Sequence, residues 1–342
     1  MFSISFPVRK ANVEKTAMPN DLVPWSPRAG WDGFFAIAIL DDPSAPKWVK
    51  AHLFLRSCPE GRFPFSMIEG LERSEIMIAC GYRDRVEIFR HGIDSSMLEW
   101  QSDPLWVELP DRFVFSGKAP EYGMSFLCGE KKVEAHFHFE ADWPIWWSDW
   151  GKRLHYIGQH GSVTVDLHNN GGRSEASGLG VIEHVCGGAS RFNFTKALPI
   201  HYHWDVLKID GKDEPISSAA GLSIGVGGKT RIRLRAGMRI FGGKPVPADG
   251  LRIEYLDLSV GESQIAIADR WEGLMKSREG NLRYEARRTT PVAELIPGGG
   301  MMGFDFTGVF KTRGAPAVPV SGSGFSEYGD FSGALLGLAR SK

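Results

Sequence analysis

Gly178-Leu179-Gly180-Val181-Ile182-Glu183-His184 returns 144 residues later as Gly322-Ser323-Gly324-Phe325-Ser326-Glu327-Tyr328, a shared pattern of Gly-x-Gly-apolar-x-Glu-ring. Upstream, Phe139-Glu140-Ala141 recurs at nearly the same spacing as Tyr284-Glu285-Ala286. A period of that size matches one small β-domain, so the chain reads as two related units, each closing on a glycine-bearing strand. Both copies follow a turn, Asn169-Asn170-Gly171-Gly172 in the first and Thr312-Arg313-Gly314 in the second. The boundary falls in the stretch Cys186 to Arg191, which divides the chain into 1–188 and 189–342. Paired glycines in a closing strand allow it to coil tightly against its neighbours.

Outward from the repeat, the rhythm is that of strands. Thr230-Arg231-Ile232-Arg233-Leu234-Arg235-Ala236 alternates strictly and Arg252-Ile253-Glu254-Tyr255-Leu256-Asp257-Leu258 is read as continuing it, each as a strand with a polar and an apolar face. The segments Trp48 to Arg56, Glu75 to Tyr82, Arg85 to His91, Arg112 to Ser116, Lys132 to Ala141, Ser162 to His168, Ser263 to Ala268 and Gly303 to Phe310 read the same way. With 41 glycines and 20 prolines as punctuation, roughly 16–20 strands are expected. The best helix candidate is Asp269 to Arg278, with Asp269 as N-cap. The fold class expected is all-β, two consecutive antiparallel barrels with little helix.

Composition excludes several classes of function. Forty basic against 41 acidic side chains leave a net charge of −1, so no global field draws the chain to nucleic acid or an anionic surface. No run approaches the length of an apolar membrane span. Met1 to Asn20 carries Arg9, Lys10, Glu14 and Lys15 without the apolar stretch of a secretory signal, so a cytoplasmic protein is expected. Cys58, Cys80, Cys128 and Cys186 are widely spaced and read as reduced thiols. Three motifs fail on context. Gly298 to Gly303 fits a dinucleotide fingerprint, Gly228-Lys229-Thr230 the end of a phosphate loop, and Gly221 to Gly225 a nucleophile elbow. Each leads into a strand pattern where a helix is required. No cofactor is expected.

Eight of the ten histidines lie between His136 and His203, with Trp143, Trp146, Trp147 and Trp150 among them; polar and aromatic chemistry is therefore concentrated at the junction of the two units. Glu134-x-His136-x-His138-x-Glu140 and His201-x-His203-x-Asp205 each put two histidines with at least one carboxylate on one strand face. Such a face either meets water, lines a cavity where imidazole passes protons, or holds a metal through two histidines and a carboxylate. Glu183 and His184 are adjacent and so lie on opposite faces. Glu327 repeats Glu183, which reads as structural, whereas Tyr328 replaces His184 and leaves that histidine free for chemistry. His184, His203, Asp205 and Glu183 are the candidate catalytic residues. Trp146, Trp147, Trp204, Tyr202, His201 and Tyr255 are candidates for ligand contact, and Tyr255 with Asp257 forms a possible acid pair on one strand face.

Two successive β-domains, a tryptophan-rich crossing, the Gly-x-Gly-apolar-x-Glu-His strand and the terminal Gly-Ser-Gly-Phe-Ser-Glu-Tyr resemble the tandem lipocalin-like family that includes carotenoid hydratases, kievitone hydratase and fungal decalin-forming cyclases. The resemblance implies two lipocalin-like β-barrels of eight to ten antiparallel strands, with a ligand cavity in or between them. It also implies cofactor-independent addition of water, or cyclisation, on a hydrophobic unsaturated isoprenoid, steroid or polyketide-like molecule. A full catalytic set cannot be matched onto this chain, which leaves the reaction type open. Two alternatives remain: a non-catalytic carrier of the same ligand class, and a metal-dependent enzyme using His136, His138, His201 and His203. Oligomeric state is not legible.

Overall fold

The computed structural model describes residues 22–24, 31–55, 74–129, 133–149, 154–169, 172–187, 200–211, 216–226, 229–261, 263–296, 299–330 and 333–340. Among the described residues, twenty strands run in chain order: β1 (Trp31–Leu40), β2 (Trp48–Leu55), β3 (Glu75–Gly81), β4 (Val86–Gly92), β5 (Glu99–Ser102), β6 (Leu105–Leu109), β7 (Phe113–Lys118), β8 (Glu121–Cys128), β9 (Val133–Asp149), β10 (Leu154–Asn169), β11 (Gly172–Gly187), β12 (Ile200–Ile209), β13 (Ser218–Val226), β14 (Lys229–Arg239), β15 (Val246–Val260), β16 (Ala266–Ser277), β17 (Asn281–Arg288), β18 (Ala293–Ile296), β19 (Gly299–Lys311) and β20 (Val318–Asp330). A short α-helix, α1 (Ala334–Arg340), follows β20.

Strands β1 to β11 make one sheet, in the order β4-β3-β2-β1-β11-β10-β9-β8-β7-β6-β5, and β12 to β20 make another. All pairings are antiparallel. In the second sheet β17 pairs with β19 as well as β16, which closes β12–β17, β19 and β20 into an eight-stranded barrel. The first sheet curls until β8 packs over β2, β3 and β4, so it is a half-barrel with β4 and β5 at its edges. The all-β, two-barrel expectation holds in this form, one barrel closed and one curled.

The repeat has a physical basis in the close approach of neighbouring strands. A Cβ on Gly178 would stand 2.0 Å from the Ile39 carbonyl oxygen, and one on Gly322 would stand 2.0 Å from that of Lys208. On Gly180 it would meet the Phe139 ring at 2.7 Å, and on Gly324 the Phe304 ring at 2.1 Å. Both closing strands thus use one glycine for a neighbour's backbone and the next for a ring.

Three apolar clusters follow from strand alternation. Phe34, Phe113, Phe115, Phe126 and Phe137 fill the curled sheet. Trp271, Tyr284, Phe304 and Phe306 fill the closed barrel. Ile37, Trp48, Val181, Trp204, Val206 and Phe325 pack the outer face of one sheet against the other.

Four expectations need correction or placement. Asp269 to Arg278 is not a helix, because Ala268, Trp271, Gly273 and Met275 are buried along β16 and their spacing gives the segment an inner strand face. Asp269 pairs with Arg288 at 2.6 Å instead of capping. The tryptophan crossing is not a connection: β9 continues to Asp149 and pairs with β10, Trp147 opposite Ile157 and Trp146 opposite Gly158. The side chains of Trp143, Trp146 and Trp147, and all of Trp150, lie outside the described residues, as does Cys58. The segment Gly299 to Lys311 is strand, as the rejection of a dinucleotide site requires.

Candidate active site

β12 presents His201, His203 and Asp205 to the interior of the closed barrel, where they are 3%, 1% and 0% exposed. Asp205 is a pure acceptor once ionised, and it is fully engaged. His203 Nε2 donates to Oδ1 at 2.9 Å, while Trp271 Nε1 and the Tyr284 hydroxyl donate to Oδ2 at 2.9 and 2.5 Å. Burial pushes the Asp205 carboxyl up, but His203 and these hydrogen bonds outweigh it and hold the group below its ordinary value. The carboxylate therefore fixes the histidine tautomer, with the proton on Nε2 and Nδ1 as acceptor. Tyr255 donates its hydroxyl to that Nδ1 at 3.1 Å, and burial, followed by the charge of Asp205, keeps the phenol protonated. Ser326 Oγ stands 3.0 Å from His203 Nε2, and the Trp271 ring lies edge-on to the imidazole at 5.2 Å.

Asp257 is not part of this line. The β15–β16 register slips between Tyr255 and Asp257, and the bulge turns Asp257 outward to Arg270, 2.8 Å away. The possible acid pair of Tyr255 and Asp257 on one strand face does not form.

Two polar atoms complete the interior. His201 Nδ1 and the Tyr328 hydroxyl are buried with no hydrogen-bond partner among the described residues, a state that costs free energy unless a ligand group satisfies them. His201 is held neutral, its pKa pushed down to about 4 by burial and then by His203. Its ring fits only because residue 225 is glycine: a Cβ there would stand 2.0 Å from Nε2.

The other candidate residues lie elsewhere. His184 faces the core of the curled sheet, where its Nε2 is 2.6 Å from Asp32 Oδ1 and its ring stacks on Phe34 at 4.6 Å. Glu183, on the opposite face as expected, meets the second sheet and accepts from the Tyr156 hydroxyl. Glu327 accepts from Lys50 and, at 2.9 Å, from the Tyr202 hydroxyl. These two glutamates are held by side chains between the sheets. Burial raises Glu183 to about 7, whereas Lys50 takes Glu327 below its ordinary value against the same penalty of burial. Trp204 packs at the same interface, 6.0 Å from Phe325. Tyr202 and Trp204 are therefore interface residues on the face opposite His203.

The Glu134, His136, His138 and Glu140 face points outward from the curled sheet: His138 and Glu140 are exposed, and His136 bonds Ser125 at 3.0 Å and Glu134 at 3.3 Å. The two His-x-His faces thus belong to different sheets, one open to solvent and one internal. An open depression of about 920 Å³, lined by Leu105, Trp106, Tyr122 and His138 among others, contains none of the buried acid–base groups. Sequence reasoning missed Trp271, Tyr284, Ser326 and Asp32. Of these, Trp271 and Tyr284 carried a signal, since each stands between charged residues on its strand, Arg270 and Glu272 in one case and Arg283 and Glu285 in the other.

No protein-family profile and no curated protein sequence matches the chain. Solved structures do match. Kievitone hydratase from Nectria haematococca is similar at TM-score 0.58 and 10% identity, with 95% of this chain and 94% of that one covered. A protein described as an AttH of Nitrosomonas europaea gives 0.57 and 11%, covering 89% and 93%. CghA gives 0.51 and 13%, covering 92% and 93%. The tandem lipocalin-like fold that the family resemblance implied is the fold these structures share with this chain.

Proposed function

We propose that the chain is a hydratase or cyclase, a lyase or isomerase acting on a hydrophobic unsaturated isoprenoid, steroid or polyketide-like molecule without a cofactor, and that the closed barrel carries the chemistry. The observation that carries this reading is the hydrogen-bonded line Asp205–His203–Tyr255 beside two polar groups with no partner among the described residues, His201 Nδ1 and the Tyr328 hydroxyl. The likeness to kievitone hydratase supports the same class of reaction.

The line moves one proton and returns it. Asp205 orients His203 through Nε2 and pairs with the imidazolium when it forms. A water or ligand hydroxyl gives its proton to the Tyr255 oxygen as the Tyr255 proton passes to His203 Nδ1. The oxygen adds to one carbon of the double bond, and the imidazolium returns its proton through Tyr255 to the neighbouring carbon. Water addition balances with no oxidant or reductant; cyclisation uses the same groups to polarise the ligand. His201 and Tyr328 hold a ligand oxygen. Glu183 and His184, in the other sheet and at the interface, support the scaffold rather than this step, and Tyr202 and Trp204 back the strand that bears His203. Trp146 and Trp147 remain proposed ligand contacts.

Freshly purified protein is examined by native mass spectrometry, then incubated with a panel of unsaturated isoprenoids, steroids and polyketides. The reading predicts a co-purified apolar molecule and a product either one water heavier or isomeric with its substrate. Tight binding across the panel with no product would establish a carrier instead.

A further inference from the structure

The strand register of the curled sheet brings together three donors that the proton line does not use. Asp32 on β1 and Cys186 on β11 are directly opposed, and His184, two residues from Cys186, shares its inward face. A carboxylate oxygen of Asp32, a ring nitrogen of His184 and the Cys186 sulfur all lie within 4.8 Å of one another. All three residues are buried, at 5%, 1% and 0% exposed, and the stacked Phe34 ring fixes the plane of the imidazole.

We infer that Asp32, His184 and Cys186 form a binding site for a divalent transition metal, with Zn²⁺ as the best match. Thiolate and imidazole select a borderline-soft ion over Mg²⁺ or Ca²⁺, and zinc accepts sulfur, nitrogen and oxygen together in tetrahedral geometry. Three protein ligands leave a fourth position for water or another small ligand. The 2.6 Å contact between His184 Nε2 and Asp32 describes the metal-free pair. Ligand atoms about 2.0–2.3 Å from a tetrahedral ion need the two to part by less than about 1 Å. The rival reading, a thiol–imidazole–carboxylate relay, places acid and sulfur on opposite ring nitrogens with the imidazole between them. Here the carboxylate and sulfur converge within 4.8 Å, as ligands of one ion do. Loading deprotonates the thiol and releases its proton.

The test uses the full chain, stripped with a chelator and titrated with Co²⁺ and then Zn²⁺. The inference predicts one Co²⁺ per chain with a thiolate-to-metal charge-transfer band, displacement of the band by Zn²⁺, and a rise in melting temperature on loading. Cys186→Ser abolishes the band, and Asp32→Asn and His184→Gln each weaken Zn²⁺ at least tenfold. The double variant H136A/H138A, on the outer face, keeps the band. A wild-type protein with no thiolate band, or binding that is lost in the outer-face variant, overturns the site, and neither result depends on whether the inner variants fold.

Discussion

The inner faces of the two sheets use the same strand positions and fill them differently. In the curled sheet Phe34 on β1 stands opposite His184 on β11; in the closed barrel His203 on β12 stands opposite Tyr328 on β20. Histidine and ring have exchanged strands. The carboxylate follows the histidine's surroundings in each case: Asp32 meets His184 from across the strand pair, while Asp205 lies two residues along from His203 on the same strand. Beside His184 stand Phe34 and the Cys186 thiol, whereas the His203–Asp205 pair is surrounded by Tyr255, Trp271, Tyr284 and Ser326. A common scaffold thus supports a dry, convergent donor set in one half and a hydrogen-bonded proton line in the other, and the fold decides neither.

The largest expected effect of breaking this difference is at Asp205. Asp205→Ala leaves His203, Trp271 and Tyr284 without their shared acceptor in a closed interior, and should destabilise the protein by about 3–5 kcal/mol in urea unfolding. An unchanged denaturation midpoint would show that the line is not an organising feature of the barrel.

The second effect contrasts the repeated glutamates. Glu183 has a folded value of about 7, above the ordinary 4.5, so folding favours its protonated form. Its contribution is complete below the ordinary value and is lost as pH rises through about 7, by up to roughly 3 kcal/mol. Glu327 runs the other way: held below 4.5 by Lys50, it contributes above that value and loses its contribution as pH falls. Glu183→Gln should therefore raise the melting temperature at pH 8 and converge with wild type near pH 5, while Glu327→Gln should lower it at pH 8. Equal responses of the two variants across pH would break the contrast.

Tyr284→Phe removes one of the two donors to Asp205 Oδ2 and keeps the ring, so a loss of about 1–2 kcal/mol is expected, with the fold retained by circular dichroism. The smallest effect is on the outer face. His138 is exposed, and His138→Ala should change stability by less than about 0.5 kcal/mol.

The repeat made two related sheets legible because its glycines answer a steric demand that recurs wherever a closing strand is crowded. The face of His201, His203 and Asp205 was legible because period-two alternation survives along β12. What was lost was long-range. Trp271 and Tyr284 reach Asp205 across 66 and 79 residues, and Asp32 reaches His184 across 152, distances over which only register decides. Asp257 was misplaced because period two was carried through the adjacent apolar pair Tyr255-Leu256, where the register slips. Asp269 to Arg278 suggested a helix because a possible cap preceded Trp271 and Leu274, residues that suit either period until their partners on β15 and β17 are known.

The central claim is that chemistry belongs to the closed barrel, and turnover of paired variants tests it most directly. With a substrate identified from the panel, His203→Gln should lower kcat by about 10²–10⁴-fold while circular dichroism stays native, and His136→Ala should match wild type. Full turnover by a folded His203→Gln protein would contradict the account.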